Sequence, residues 1–138
     1  MATLLNPASD LVTAVTGQTL GGVALVSGRN LFSGEIPPNV TMAVFFLNSG
    51  GEPPEPYIGS DNQSVIRSNV VMMVRGVPGS VGYLNSETLA RAVLGYIHLL
   101  SVSGYISIRA QHPHPDFIGA DEMERPQWTA SISATYKA

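Results

Sequence analysis

Ser64-Val65-Ile66-Arg67-Ser68-Asn69-Val70-Val71-Met72-Met73-Val74-Arg75 contains neither glycine nor proline, and it stops at Gly76-Val77-Pro78-Gly79. Seven of its twelve residues are Val, Ile or Met. A run so rich in β-branched side chains, closed by a turn signal, predicts a long strand over 64–75, buried on much of both faces. Arg67 and Arg75 stand at even spacing, and the two-residue period of a strand puts both on one face. That face is either wet or met by acids from a neighbour.

The elements on either side follow from the same patterning. Upstream, Val40-Thr41-Met42-Ala43-Val44-Phe45-Phe46-Leu47-Asn48 predicts a central strand over 40–48. Downstream, Asn85 offers an N-cap, and Glu87 falls in a first turn whose dipole favours an anion. Leu89, Ala92, Val93, Tyr96, Ile97 and Leu100 then recur at helical spacing. The expectation is a helix over 86–103 that stops at Gly104. Leu94 and Leu99 fall off its main stripe, so it meets a partner as well as the sheet. Alternating residues predict strands over 105–112 and 128–136, the second with Trp128, Ala130, Ile132, Ala134 and Tyr136 facing inward. Asn6-Pro7 opens a short first helix that Gly17 ends.

The fold class is therefore α/β of the α+β kind. One domain over 1–138 has a mixed, mostly antiparallel sheet covered by one long and one short helix. At 138 residues the chain has room for one ordinary core. Residues 17–39, 49–63 and 111–127 are rich in Gly, Pro, Ser or Asn and are long for loops, so they read as contact arms.

Composition removes several functions. Charged residues are 12% of the chain and the net charge is -3, the wrong sign for a surface that grips phosphates. With no cysteine, thiolate metal sites, iron-sulfur clusters, disulfides and thiol nucleophiles are excluded. No apolar run approaches a membrane span, and Met1-Ala2-Thr3-Leu4-Leu5-Asn6-Pro7 lacks the start of a signal peptide, which reads as a chain kept inside the cell. The sequons at Asn39 and Asn62 are then chance matches. No Gly-x-Ser-x-Gly elbow or phosphate-binding loop is present. Pro53-Pro54-Glu55-Pro56 matches Pro-x-x-Pro and reads as a stiff spacer or a polyproline ligand. His112 and His114, with Asp116, Asp121, Glu122 and Glu124 downstream, are the one candidate ligand set for a metal. Tyr96 and Trp128 are candidate interface anchors.

Charge is also divided along the chain. Residues 1–63 carry Arg29 against Asp10, Glu35, Glu52, Glu55 and Asp61, whereas residues 64–138 carry six bases and five acids. This suggests head-to-tail packing of an acidic side, Glu52, Glu55 and Asp61, against a basic side, Arg67, Arg75, Arg91 and Arg109.

Several pieces, in order, resemble the tail terminator (tail completion, or minor capsid) proteins of long-tailed bacteriophages. They are Gly28-Arg29-Asn30-Leu31-Phe32-Ser33-Gly34, Ser49-Gly50-Gly51, Pro56-Tyr57-Ile58-Gly59 and Val74-Arg75-Gly76. A long helix follows, then His112-Pro113-His114-Pro115, Ile118-Gly119-Ala120-Asp121 and Glu124-Arg125-Pro126. The resemblance implies six copies in a ring at the head-proximal end of the tail tube, ending tube growth and offering a dock for the head. It implies no catalysis and no cofactor. The partners would be the chain itself, the tube protein and a head-side connector, with DNA passing through the lumen without specific binding. The place would be the virion's head-tail junction, reached from the host cytoplasm. The rival readings are a head-completion or neck connector, and a small metal-dependent hydrolase using His112 and His114.

Overall fold

In the computed structural model, which describes residues 4–56 and 64–138, Asn6 caps α1 (Pro7–Val15) by accepting a hydrogen bond from the Ser9 N–H at 3.2 Å. Gly17, at φ 87°, turns the chain out of the helix. β1 (Thr19–Leu20) and β2 (Val23–Ala24) then form a hairpin around Gly21 and Gly22, both at positive φ as a two-residue turn of this hand requires. A Cβ on Gly21 would lie 2.9 Å from the Leu89 Cα, so the hairpin tip sits against the long helix.

β3 (Leu31–Ser33), β4 (Ala43–Gly51), β5 (Glu55–Pro56), β6 (Ser64–Arg75), β7 (Tyr105–Ala110), β8 (Asp116–Ala120) and β9 (Pro126–Lys137) make one seven-stranded sheet. Its order is β3-β4-β6-β9-β7, with β5 beside β6 and β8 beside β9. β3 runs parallel to β4, and the other pairs are antiparallel. α2 (Ser80–Ile97) and α1 cover the same face, where Leu11, Val44, Met72, Leu89, Val93 and Ile132 close the core. The Tyr105 hydroxyl donates to Asp10 Oδ2 at 2.5 Å and ties α1 to β7; burial first, and this bond second, raise the phenol pKa far above its ordinary value.

The two long strands lie where their patterning puts them. β6 matches 64–75 to the residue, and β9 buries Trp128, Ala130, Ile132, Ala134 and Tyr136 as predicted. The apolar residues of β6 are fully buried only on its helix side, though. Val65, Arg67, Asn69, Val71 and Met73 are half-buried on the opposite face, beside Thr129, Ser131, Ser133 and Thr135.

Other boundaries differ for local reasons. β4 begins at Ala43 instead of 40 because Met42 has φ 49°, outside extended backbone. β7 ends at Ala110 instead of 112, ahead of two prolines that cannot donate to a ladder. A bulge between Tyr105 and Ser107 leaves Ile106 outside the inward alternation, 63% exposed. The expected arms are partly sheet: 17–39 carries β1, β2 and β3, 49–56 carries the end of β4 and β5, and 111–127 carries β8 and the first residues of β9, while 57–63 lie outside the described residues. Strands this short leave no readable period.

The largest displacement is in α2, which starts at Ser80, not 86, and ends at Ile97, not 103. Gly79, at φ 101°, feeds the chain straight into the helix, so Asn85 and Glu87 are interior residues. Gly82 packs on the preceding turn, where a Cβ would lie 1.9 Å from the Val77 carbonyl oxygen. At the other end Leu99, at φ 62°, leaves the helix and donates its N–H to Ile108 O at 2.8 Å. Gly104 turns the chain into β7 instead of stopping a helix.

These two helix glycines predict opposite outcomes. Gly82→Ala should cost about 1–3 kcal/mol in urea denaturation, because the turn must open to admit a methyl group. Gly95→Ala, with nothing within 4 Å of the new Cβ, should gain roughly 0.5–1 kcal/mol from helix propensity. Equal effects would refute the close approach at Gly82.

Candidate interaction surface

The residues singled out from the sequence do not form one basic and one acidic side. On the open face of the sheet, Arg67 Nη1 donates to Glu55 Oε2 at 2.7 Å, so a predicted basic residue pairs with a predicted acidic one inside a single chain. Register explains this: β5 runs back along β6, with Glu55 opposite Val65. Glu52 adds to the same field and, with the Glu55 hydrogen bond as the larger cause, raises the Arg67 pKa further. Asp61 lies outside the described residues.

Arg75 shares the face of Arg67, as the strand period requires, but is only 7% exposed. Its Nη1 donates to Pro37 O at 2.9 Å, and its guanidinium lies 5.2 Å from the Phe45 ring centroid. Phe45 in turn stacks on Phe32 at 5.6 Å. Arg125, 6% exposed, donates through Nε to Asp121 Oδ2 at 2.7 Å and through Nη1 to Pro38 O at 2.5 Å. Asp121 also accepts the N–H groups of Met123 and Arg125. Its carboxyl is held below the usual carboxylate range, chiefly by the Arg125 hydrogen bond. Burial, and then the nearby Arg125, lower the Arg75 pKa, and its Nε, 3.9 Å from Asp121 Oδ2, makes no hydrogen bond among the described residues. The cluster straps the 37–38 segment to the end of the sheet and offers no guanidinium to a neighbour.

The two remaining basic candidates are accessible. Arg109 is exposed on β7 with no ion pair among the described residues. Arg91 is exposed on α2, 3.6 Å from Glu87.

Patterning of charge gave no hint of the apolar surface. Trp128 is a core residue, 3% exposed, whose indole N–H donates to Ser86 Oγ at 3.0 Å. Around it lie Tyr83 at 5.0 Å and Phe117 at 5.2 Å between ring centroids. Phe117 is 46% exposed, and Ile118 at 50% on β8, with Leu84 at 62% and Val81 at 68% on α2, are further large exposed apolar residues. At the opposite end of β9 from Trp128, Leu4 and Leu5 border a groove of about 380 Å³ with Gly51, Pro54, Ile66 and Tyr136.

A second groove, about 390 Å³, lies between α2 and the segment after β7, lined by Arg91, Leu94, Gly95, His98, His112 and Pro113 among others. It explains Leu94, which the chain's own 110–115 segment covers. His98 Nδ1 accepts the Ala110 N–H at 3.0 Å, which leaves the neutral ring with its proton on Nε2. His114 turns away, its Nδ1 2.7 Å from Pro115 O and its Nε2 3.8 Å from Glu87. Among the described residues no three His, Asp or Glu side chains converge on a cation site, and Asp121 is committed to Arg125. No helix among the described residues is long and apolar enough to cross a membrane.

No protein-family model matches the chain, and no curated protein matches it. A solved structure does share its fold. One chain of the virion of a native gene transfer agent particle superposes over 80% of this chain and 81% of its own length, with a TM-score of 0.50 and 12% sequence identity. The common element is the fold: two helices on a mixed, mostly antiparallel sheet.

Proposed function

We propose that this chain is a structural protein of a phage-like particle, which closes into a ring at the head-proximal end of a tail tube, ends tube growth and presents a dock for the head. The observation that carries the reading is the fold held in common with a virion chain over four-fifths of both molecules. The surface is consistent with it. A ring needs two different patches on each subunit, and large exposed apolar side chains sit in two separate places, on β8 and α2 near the start of β9 and at Leu4 and Leu5 near its end. Six copies, the tube protein and a head-side connector as neighbours, and passage of DNA through the lumen belong to this proposal. Buried Arg75 and the internal Arg67–Glu55 pair shift the burden of the subunit contact onto apolar surface, since exposed ion pairs contribute little.

Deleting the coding sequence from the genome that makes the particle should leave tubes of uncontrolled length in negative-stain micrographs. Normal tails beside leaking heads would move the chain to the head side of the neck. Unchanged particles would overturn both positions.

A further inference from the structure

The groove between α2 and the segment after β7 is walled by donors and floored by apolar atoms. Arg91, His98 and His112 supply the nitrogen groups, while Leu94, Gly95 and Pro113 supply the floor. His98 need not be protonated to donate, because the Ala110 N–H holds its ring with the proton on Nε2. One carboxylate, Glu87, is already shared by the lining Arg91 and by His114 at 3.6 and 3.8 Å. Such a groove fits an extended, proline-containing segment with an acidic side chain.

The chain itself carries that segment. Glu52-Pro53-Pro54-Glu55 is exposed along its length. Its prolines fix φ near about -65° and favour the extended polyproline conformation, ready to bind at low entropic cost. Glu55 is taken by Arg67, whereas Glu52 only adds to the field at that guanidinium and forms no close ion pair among the described residues. The segment leaves the β4 edge of the sheet, and the groove lies at the β7 edge, with β6 and β9 between them. The two are therefore roughly 14 Å or more apart within one subunit. A segment on one edge and its receptor on the other is the arrangement that a head-to-tail contact between copies needs.

We infer that the Glu52–Glu55 segment of one copy docks in the Arg91–His98–His112 groove of the next, with Glu52 as the charged contact. This contact deepens the ring reading and rests on it for its biological meaning.

The probe is the synthetic peptide Gly-Gly-Glu-Pro-Pro-Glu-Pro, residues 50–56, titrated by NMR into the full chain carrying Glu52→Arg, whose own segment no longer competes. Shifts confined to Gly95, His98 and His112 are expected, with affinity about ten-fold lower for the chain carrying Arg91→Glu alone, whose own Glu52 is also repelled from the groove. A peptide with Arg in place of the first Glu should bind that Arg91→Glu chain in preference to the original peptide. Absence of shifts at millimolar peptide, or binding indifferent to the charge at 91, overturns the inference.

Self-association by analytical ultracentrifugation separates this inference from the ring. Arg91→Glu and Glu52→Arg should each weaken assembly alone, whereas their equimolar mixture, or both changes in one chain, should restore it. Rings untouched by either reversal would overturn this contact and leave the ring standing. A chain that stays monomeric on purified tube ends would overturn the ring and this contact together, even if the peptide binds.

Discussion

An Asp121→Ala chain is expected to unfold at far lower urea concentration than the wild type, with a loss of about 3–5 kcal/mol. The change leaves Arg75 and Arg125, 7% and 6% exposed, as two buried like charges with no counter-charge. It also strips the acceptor from the Met123 and Arg125 N–H groups that shape the turn before β9. Asp121→Asn keeps the volume and some of these bonds but not the charge, and should fall between. Because Arg125 holds the Asp121 carboxyl below its unfolded value, this carboxylate contributes stability in full above the ordinary Asp pKa of about 3.9. The contribution fades as pH falls below that value toward the folded one. Wild-type stability should therefore drop on acidification through this range more steeply than that of Asp121→Asn. Parallel curves would show that the buried pair is not what acid breaks.

Trp128→Ala should cost about 3–5 kcal/mol, for the volume it leaves under α2 cannot be refilled by the backbone of a central strand. Trp128→Phe separates two contributions. It keeps a ring between Tyr83 and Phe117 but leaves Ser86 Oγ without the indole donor, and a smaller loss of about 1–2 kcal/mol is expected. Ser86→Ala, which orphans the indole N–H, should cost a similar amount. The readout is urea denaturation with near-UV circular dichroism, since Tyr83 and Phe117 lose their packing partner only in the alanine variant. If phenylalanine proves as costly as alanine, the hydrogen bond and not the packing holds this corner.

The two strands that decide the architecture were legible because each runs twelve residues under a single rule, apolar density in β6 and strict alternation in β9. The start of α2 was not. Gly79 and Gly82 carry the signature of a loop, and only the proximity of the Val77 carbonyl gives Gly82 its helical reason. β8 was hidden for another cause: five residues with Gly119 at a bulge and four of them exposed show neither period nor core. The Arg67–Glu55 pair was illegible for a topological reason. Glu55 and Arg67 fall on either side of the charge division between residues 63 and 64, and the β5–β6 pairing makes them neighbours. The packing of Tyr83 and Phe117 on Trp128 was illegible for the same reason, because it joins a helix and two strands that only the fold brings side by side.

The pairing of β6 with β9 has a consequence for how the molecule is made. Every residue of β6 from Val65 to Arg75 finds its partner in a strand that follows α2, β7 and β8 in the chain. The centre of the sheet thus depends on contacts distant in sequence, which makes for high contact order and folding on the slow, millisecond-to-second scale. While a ribosome is still delivering β9, the β6 edge that will receive it stands open, flanked by valines and methionines. In a cell assembling many particles at once, that interval is when the chain is most exposed to aggregation, and chaperone demand should rise with the rate of its synthesis.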